Sequence, residues 1–191
     1  MTERSTRLGI RIGWRFKALR WNMSLRRTLP DSGGTIPPVV TEVEVAERLH
    51  FGAAYKPDPR GGRRDVMRHP RMVQKAIDAN APVGDCEDHA AYWLATLFKS
   101  GYVTKGSVGT VHGLFGDKVA GHAVALWTGT DNVRRTADYA APTIYTGDWG
   151  WVPVYAAKYN IKVFCATMYR VESFDTSTDS FTLRPDAFKG G

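Results

Sequence analysis

Gly84-Asp85-Cys86-Glu87-Asp88-His89-Ala90, with the run that follows it to Gly101, decides how this chain folds. The spacing predicts a helix that opens at Cys86. Asp85 is a natural N-cap, and Asp88, three residues on, can reach back to it as a capping box. Gly101, after Lys99 in the last turn, reads as the stop. A cysteine on the first helical turn sits at unpartnered N–H groups and the positive end of the helix dipole. Both favour thiolate over thiol, and the thiolate is the nucleophile. Ala90, Trp93, Leu94, Leu97 and Phe98 recur at helical spacing as one buried stripe, and Cys86 lies at its end. Taken alone, such a cysteine is most simply a small buried hydrophobe, so the chemical reading depends on partners elsewhere.

Those partners lie downstream. Gly121 to Trp127 reads as a short buried strand opening with His122. Thr128 to Asn132 is turn-like, and Val133 to Tyr139 is the returning strand, carrying Asp138. A hairpin pivoting on Thr130 sets His122 opposite Asp138 on one face, with β-carbons about 5 Å apart. An aspartate at that distance holds an imidazole in one tautomer. A cysteine at a helix start, then a histidine and an aspartate on paired strands, is the order of a thiol triad.

At these residues the sequence resembles the transglutaminase-like cysteine peptidases of the papain-like superfamily, and is most similar to their small bacterial and bacteriophage members. The resemblance rests on Gly84-Asp85-Cys86-Glu87-Asp88, Gly121-His122-Ala123-Val124 and Ala137-Asp138-Tyr139, in that order. Upstream, Tyr55-Lys56-Pro57-Asp58-Pro59, Gly61-Gly62 and Asp65 are similar too, so the likeness covers roughly residues 51 to 155. It implies an α+β fold of papain-like type, with the Cys-bearing helix packed on an antiparallel sheet carrying the histidine and aspartate. It also implies roles: Cys86 as nucleophile, His122 as general base and then acid, Asp138 as orienter of the imidazole. The thiolate would attack an amide or ester carbonyl and form an acyl-enzyme, with the Cys86 N–H among the oxyanion donors. Gln74 and Asn80 are candidates for a second donor. Negative charge from Asp85, Glu87 and Asp88 works against activation of the thiol. The expected activity is peptidase or amidase hydrolysis of a peptide or protein substrate, without a cofactor. Transfer of the acyl group to an amine (transamidation) stays open.

Composition sets the frame. The chain of 191 residues suits one well-buried core rather than two domains. The expected organisation is an N-terminal arm and linker over 1–38, a catalytic domain over 39–172, and a tail or docked strand over 173–191. The start is Arg-rich without an apolar h-region, so no secretory signal is expected, and no apolar run is long enough to span a bilayer. Synthesis in the cytoplasm follows from that reading. Two cysteines do not make a disulfide framework, and Cys165 reads as a buried strand residue. Leu8, Ile10, Ile12, Trp14 and Phe16 alternate with Arg7, Gly9, Arg11, Gly13, Arg15 and Lys17, which predicts a strand with a cationic face. That face is either solvated or docks an acidic partner; no nucleic-acid module is recognisable. Thr41 to Phe51 reads as a helix with Val43, Ala46 and Leu49 inward, and Pro70 opens another running to about Ala79. Trp149, Trp151 and Tyr155 are candidates for a substrate-groove floor.

Two rivals of other classes exist. Cys86-x-x-His89 with His112, His122 or Cys165 offers metal ligands, but only as one loose pair. A structural or assembly protein built on a peptidase-like fold, such as a phage virion or tail component held to its neighbours by the basic arm, fits the flanking segments.

Overall fold

The computed structural model describes residues 3–29, 34–52, 55–56, 66–115, 118–138, 143–147, 152–153, 156–157 and 160–190. Four helices come first: α1 (Glu3–Thr28), α2 (Glu42–Gly52), α3 (Pro70–Asp78) and α4 (Cys86–Lys99). Strands follow: β1 (Val103–Phe115), β2 (Lys118–Gly129), β3 (Arg134–Ala137), β4 (Ile144–Thr146), β5 (Lys162–Asp175) and β6 (Ser180–Gly190). They form one antiparallel sheet in the order β4-β3-β2-β1-β5-β6. The chain is therefore α+β, with helices preceding a sheet. Among the described residues no helix is long and apolar enough to cross a membrane.

Helix α4 starts and stops where its caps predict. At its end the Tyr102 N–H reaches Leu97 O at 3.1 Å and the Gly101 N–H reaches Phe98 O at 3.1 Å, with Gly101 at φ +73°. This is the left-handed termination that glycine favours. The expected single buried stripe is an underestimate, since every residue from Glu87 to Leu97 is buried. The sheet covers one side of α4, and α2 and α3 cover others, so little of the helix faces water. Trp93 of α4 stacks on Trp127 of β2 with ring centroids 5.4 Å apart. Ala123 and Ala125 join Trp127 in this core. The alternate residues Val124 and Leu126 build a second cluster with Val111 and Met168 on the other face.

The N-terminal arm is a helix, not the expected strand. Period-two alternation covers only Leu8 to Phe16. Beyond it Ala18, Trp21 and Leu25 recur at helical spacing and are buried against the sheet, and the Arg, Leu and Lys content extends the helix upstream. Trp21 packs on Tyr169 of β5 at 4.9 Å between centroids. The Asn22 amide takes both backbone groups of Leu183, donating to its carbonyl at 2.9 Å and accepting from its N–H at 2.8 Å. Edge strand β6 is thus partly satisfied by a helix side chain where an arm strand would have paired. In α2 the inward residues are Val45, Ala46 and Leu49, while Val43 stands 52 % exposed. The stripe begins two residues later than expected.

Helix α3 is N-capped by His69, which is fully buried and whose Nδ1 accepts from the Arg71 N–H at 3.3 Å. Nε2 therefore carries the proton and donates to Ser180 Oγ at 3.0 Å. Burial, helped by the Arg71 charge and opposed by Asp179, pulls the ring's pKa down to about 4. The unfolded chain then binds the extra proton between about pH 6.5 and 4, so stability falls as pH drops through that window. His69→Asn keeps a capping acceptor but cannot titrate. Urea unfolding from pH 7 to 4 should show wild type losing up to about 3 kcal/mol relative to this variant. Parallel curves would refute the neutral buried ring.

Candidate active site

The loop before Cys86 is clamped by side chains from the turn after it. Gly84 takes φ +67°. A Cβ built on it would lie 2.5 Å from both the Asp88 Cβ and Oδ2, so the Asp88 carboxylate packs directly on the glycine. That carboxylate accepts from the Asp85 N–H at 3.2 Å, completing the expected capping box. It also accepts from the Arg68 N–H and pairs with the Arg68 guanidinium. Burial still outweighs Arg68, pushing the Asp88 carboxyl up to about 7. His89, also buried, donates from Nε2 to Val83 O at 3.0 Å; burial lowers its pKa. From the other side the Lys56 N–H donates to Gly84 O at 2.8 Å. Sequence reasoning missed Arg68 and treated His89 only as a metal candidate. The i to i+3 spacing of Cys86 and His89 was the available signal, because it sets His89 beside the loop that Cys86 terminates.

Cys86 is the first residue of α4 and half-buried. Its thiol donates to Glu87 Oε2 at 3.2 Å. Burial first, then the Glu87 and Asp85 charges and the Glu87 hydrogen bond, push its pKa well above the ordinary thiol value, against the Ala123 N–H that favours thiolate. The resting group is a thiol. The helix start does not prevail over its acidic neighbours here. Asp88, expected among them, is turned to Arg68 instead. Glu87→Gln removes one charge while preserving size, so alkylation of Cys86 by iodoacetamide at neutral pH should speed up. An unchanged or slower rate would show that Glu87 does not hold the proton on sulfur.

His122 and Asp138 are in contact, with Nε2 and Oδ1 2.9 Å apart and both side chains largely buried. The register that brings them together differs from the expected one. Ala125 pairs with Ala137 and Thr128 with Arg134, so the hairpin centres on Asp131, not Thr130. The cause is the turn itself. The Gly129 N–H bonds Val133 O at 3.0 Å, Asn132 adopts φ +61°, and the Asp131 carboxylate accepts from the Val133 N–H at 3.0 Å. Continued by one step, the ladder sets Asp138 level with Val124 and diagonal to His122. A diagonal pair shares a face and lies within reach of long side chains.

The sulfur and the imidazole flank one stretch of strand. Cys86 lies against the backbone N–H of Ala123, the residue after His122, whereas His122 pairs with Val111 of the second cluster. The described β2–β3 ladder ends at Ala125 and Ala137, and by alternation along β2 His122 belongs to the face of Val124 and Leu126, not to that of Ala123 and Trp127. The thiol's hydrogen bond goes to Glu87 and not to the imidazole.

Of the two suggested oxyanion donors, Gln74 is engaged by other partners and Asn80 is exposed. The Gln74 amide donates to Asp78 at 2.7 Å and its carbonyl accepts from Tyr92 OH at 2.5 Å, six residues or about 9 Å along α4 from Cys86. Asn80 is exposed and ends α3 at φ +48°. Among the described residues one group has metal-ligand spacing, Asp85, Cys86 and Glu87, whose ligand atoms lie within 4.8 Å of one another. The His89 of the expected pair is absent from it. Trp149, Trp151 and Tyr155, and all of the 57–65 segment, lie outside the described residues. Comparison with protein-family models and with curated proteins finds no match to this chain.

Proposed function

We propose that this chain is a cysteine-dependent amide hydrolase of transglutaminase-like, papain-like type, acting on a peptide or protein. The observation that carries the reading is the 2.9 Å His122–Asp138 bond at the strand stretch where Cys86 opens its helix. A carboxylate only accepts hydrogen bonds, so His122 Nε2 is the protonated nitrogen and the Nδ1 lone pair is the base. The proton on Sγ passes to Nδ1 once the thiol turns from Glu87. The sulfur attacks the carbonyl carbon, and the Cys86 N–H at the helix start supports the oxyanion. The imidazolium returns its proton to the leaving amine, and water attacks the acyl-enzyme. An amine in place of water would give transamidation.

The thiol's engagement by Glu87 and its raised pKa favour a second reading, an assembly component such as a virion protein that keeps the fold without turnover. Reaction with a peptidyl electrophile, mapped by mass spectrometry, separates the two. Labelling at Cys86 that Cys86→Ala abolishes and His122→Ala slows greatly supports the hydrolase. Wild type that stays as inert as Cys86→Ala supports the assembly reading.

A further inference from the structure

Helix α1 has two apolar faces, one docked on the sheet and one exposed. Trp14, Ala18, Trp21 and Leu25 form the seam that docks on the sheet. Phe16, Leu19 and Met23 stand 64 %, 58 % and 45 % exposed. At about 100° per residue these three lie roughly opposite the docked seam, in a strip only about 60° wide. Arg20 and Arg27 border the strip on one side and Arg26 on the other, all exposed. Lys17 is turned away, its ammonium 4.5 Å from the Trp21 ring.

Charge singles out the same helix. The chain holds 26 Lys and Arg against 19 Asp and Glu. Helix α1 holds eight of the first and one of the second, so it accounts for the whole net charge of +7 and the remainder balances at 18 against 18.

We propose that the outer face of α1 docks an acidic amphipathic helix of a partner protein. The i, i+3, i+7 spacing of Phe16, Leu19 and Met23 matches the narrow seam of paired helices, where flanking charges choose the partner. A helix lying in a membrane interface presents a wider apolar face of about 100° or more. A second copy of this chain would set two arginine-lined helices against each other, which like-charge repulsion opposes. Glutamates beside the partner's apolar seam would meet Arg20, Arg26 and Arg27, so binding should weaken steeply with salt.

The test uses the full chain and a synthetic glutamate-rich helical peptide with leucines at alternating three- and four-residue spacing, followed by fluorescence anisotropy. Saturable binding is expected, weakened at least about tenfold by Phe16→Ser with Leu19→Ser. Both positions are exposed, and an unchanged melting temperature confirms that the fold survives. Arg20→Glu with Arg27→Glu should abolish binding to the acidic peptide and create binding to a lysine-rich peptide with the same leucines. No saturable binding, or binding indifferent to these variants, overturns the proposal. Binding to phosphatidylserine vesicles in place of the peptide overturns it in favour of a membrane, and self-association through this face overturns it in favour of a homodimer.

Discussion

Replacing Asp138 with asparagine is expected to leave the fold intact and lower turnover by a factor on the order of 10³ to 10⁴, the scale set by tautomer loss in serine-protease triads. The carboxylate can only accept, so it fixes the His122 proton on Nε2, where the two atoms lie 2.9 Å apart. An asparagine amide can turn its NH₂ toward the ring, which then keeps its proton on Nδ1 and has no lone pair for the thiol. The substitution is nearly isosteric, so melting should change little. Asp131→Asn serves as the control. Asp131 lies in the turn and pairs with Arg135 at 2.6 Å; the Arg135 hydrogen bonds hold its carboxyl below the usual range. Its loss should not touch turnover. If Asp131→Asn were the damaging change, or Asp138→Asn were silent in both peptide turnover and Cys86 labelling, the triad assignment would fall. Because thiol alkylation and turnover are read together, an enzyme acting on an untested substrate still reports through labelling.

What was legible in the residues is what local chemistry dictates. The α4 start follows from Asp85 and Asp88, its end from Gly101, and the hairpin carrying His122 and Asp138 from alternation and a polar turn. Each of these signals acts within a few residues. The centre of the hairpin was not legible, because the one-residue shift from Thr130 to Asp131 rests on the Gly129–Val133 bond, the left-handed Asn132 and the Asp131 carboxylate taking the Val133 N–H. The state of the thiol was legible in part: the acidic crowd was visible, but the turning of Asp88 to Arg68, twenty residues upstream, was not. Helix α1 misled because Leu8 to Phe16 alternates while the docking residues Ala18, Trp21 and Leu25 lie beyond that run. The face that tertiary packing selects overrode a local period. The pairing of Asn22 with Leu183 across 161 residues has no local trace at all.

Gly84→Ala should be strongly destabilising, costing about 4 kcal/mol or more in urea unfolding at pH 7. Two costs combine. A left-handed φ of +67° is unfavourable for alanine by about 1–2 kcal/mol. The new Cβ would also lie 2.5 Å from the Asp88 Cβ and Oδ2, so the buried carboxylate must move. Its ties to Arg68 and to the Asp85 N–H would then loosen, and breaking a buried pair costs about 3–5 kcal/mol. Gly101→Ala separates the two terms. Gly101 takes φ +73° but would bring its Cβ within 4 Å of nothing, so only the backbone term of about 1–2 kcal/mol applies. Equal losses for the two variants would mean that Asp88 yields without cost and that the clamp on the Cys86 loop is not structural. A much larger loss at Gly84, with Cys86 labelling altered at temperatures where the variant stays folded, would tie the geometry of the thiol to that clamp. The glycine would then matter because the site needs Asp88 where its side chain would otherwise stand.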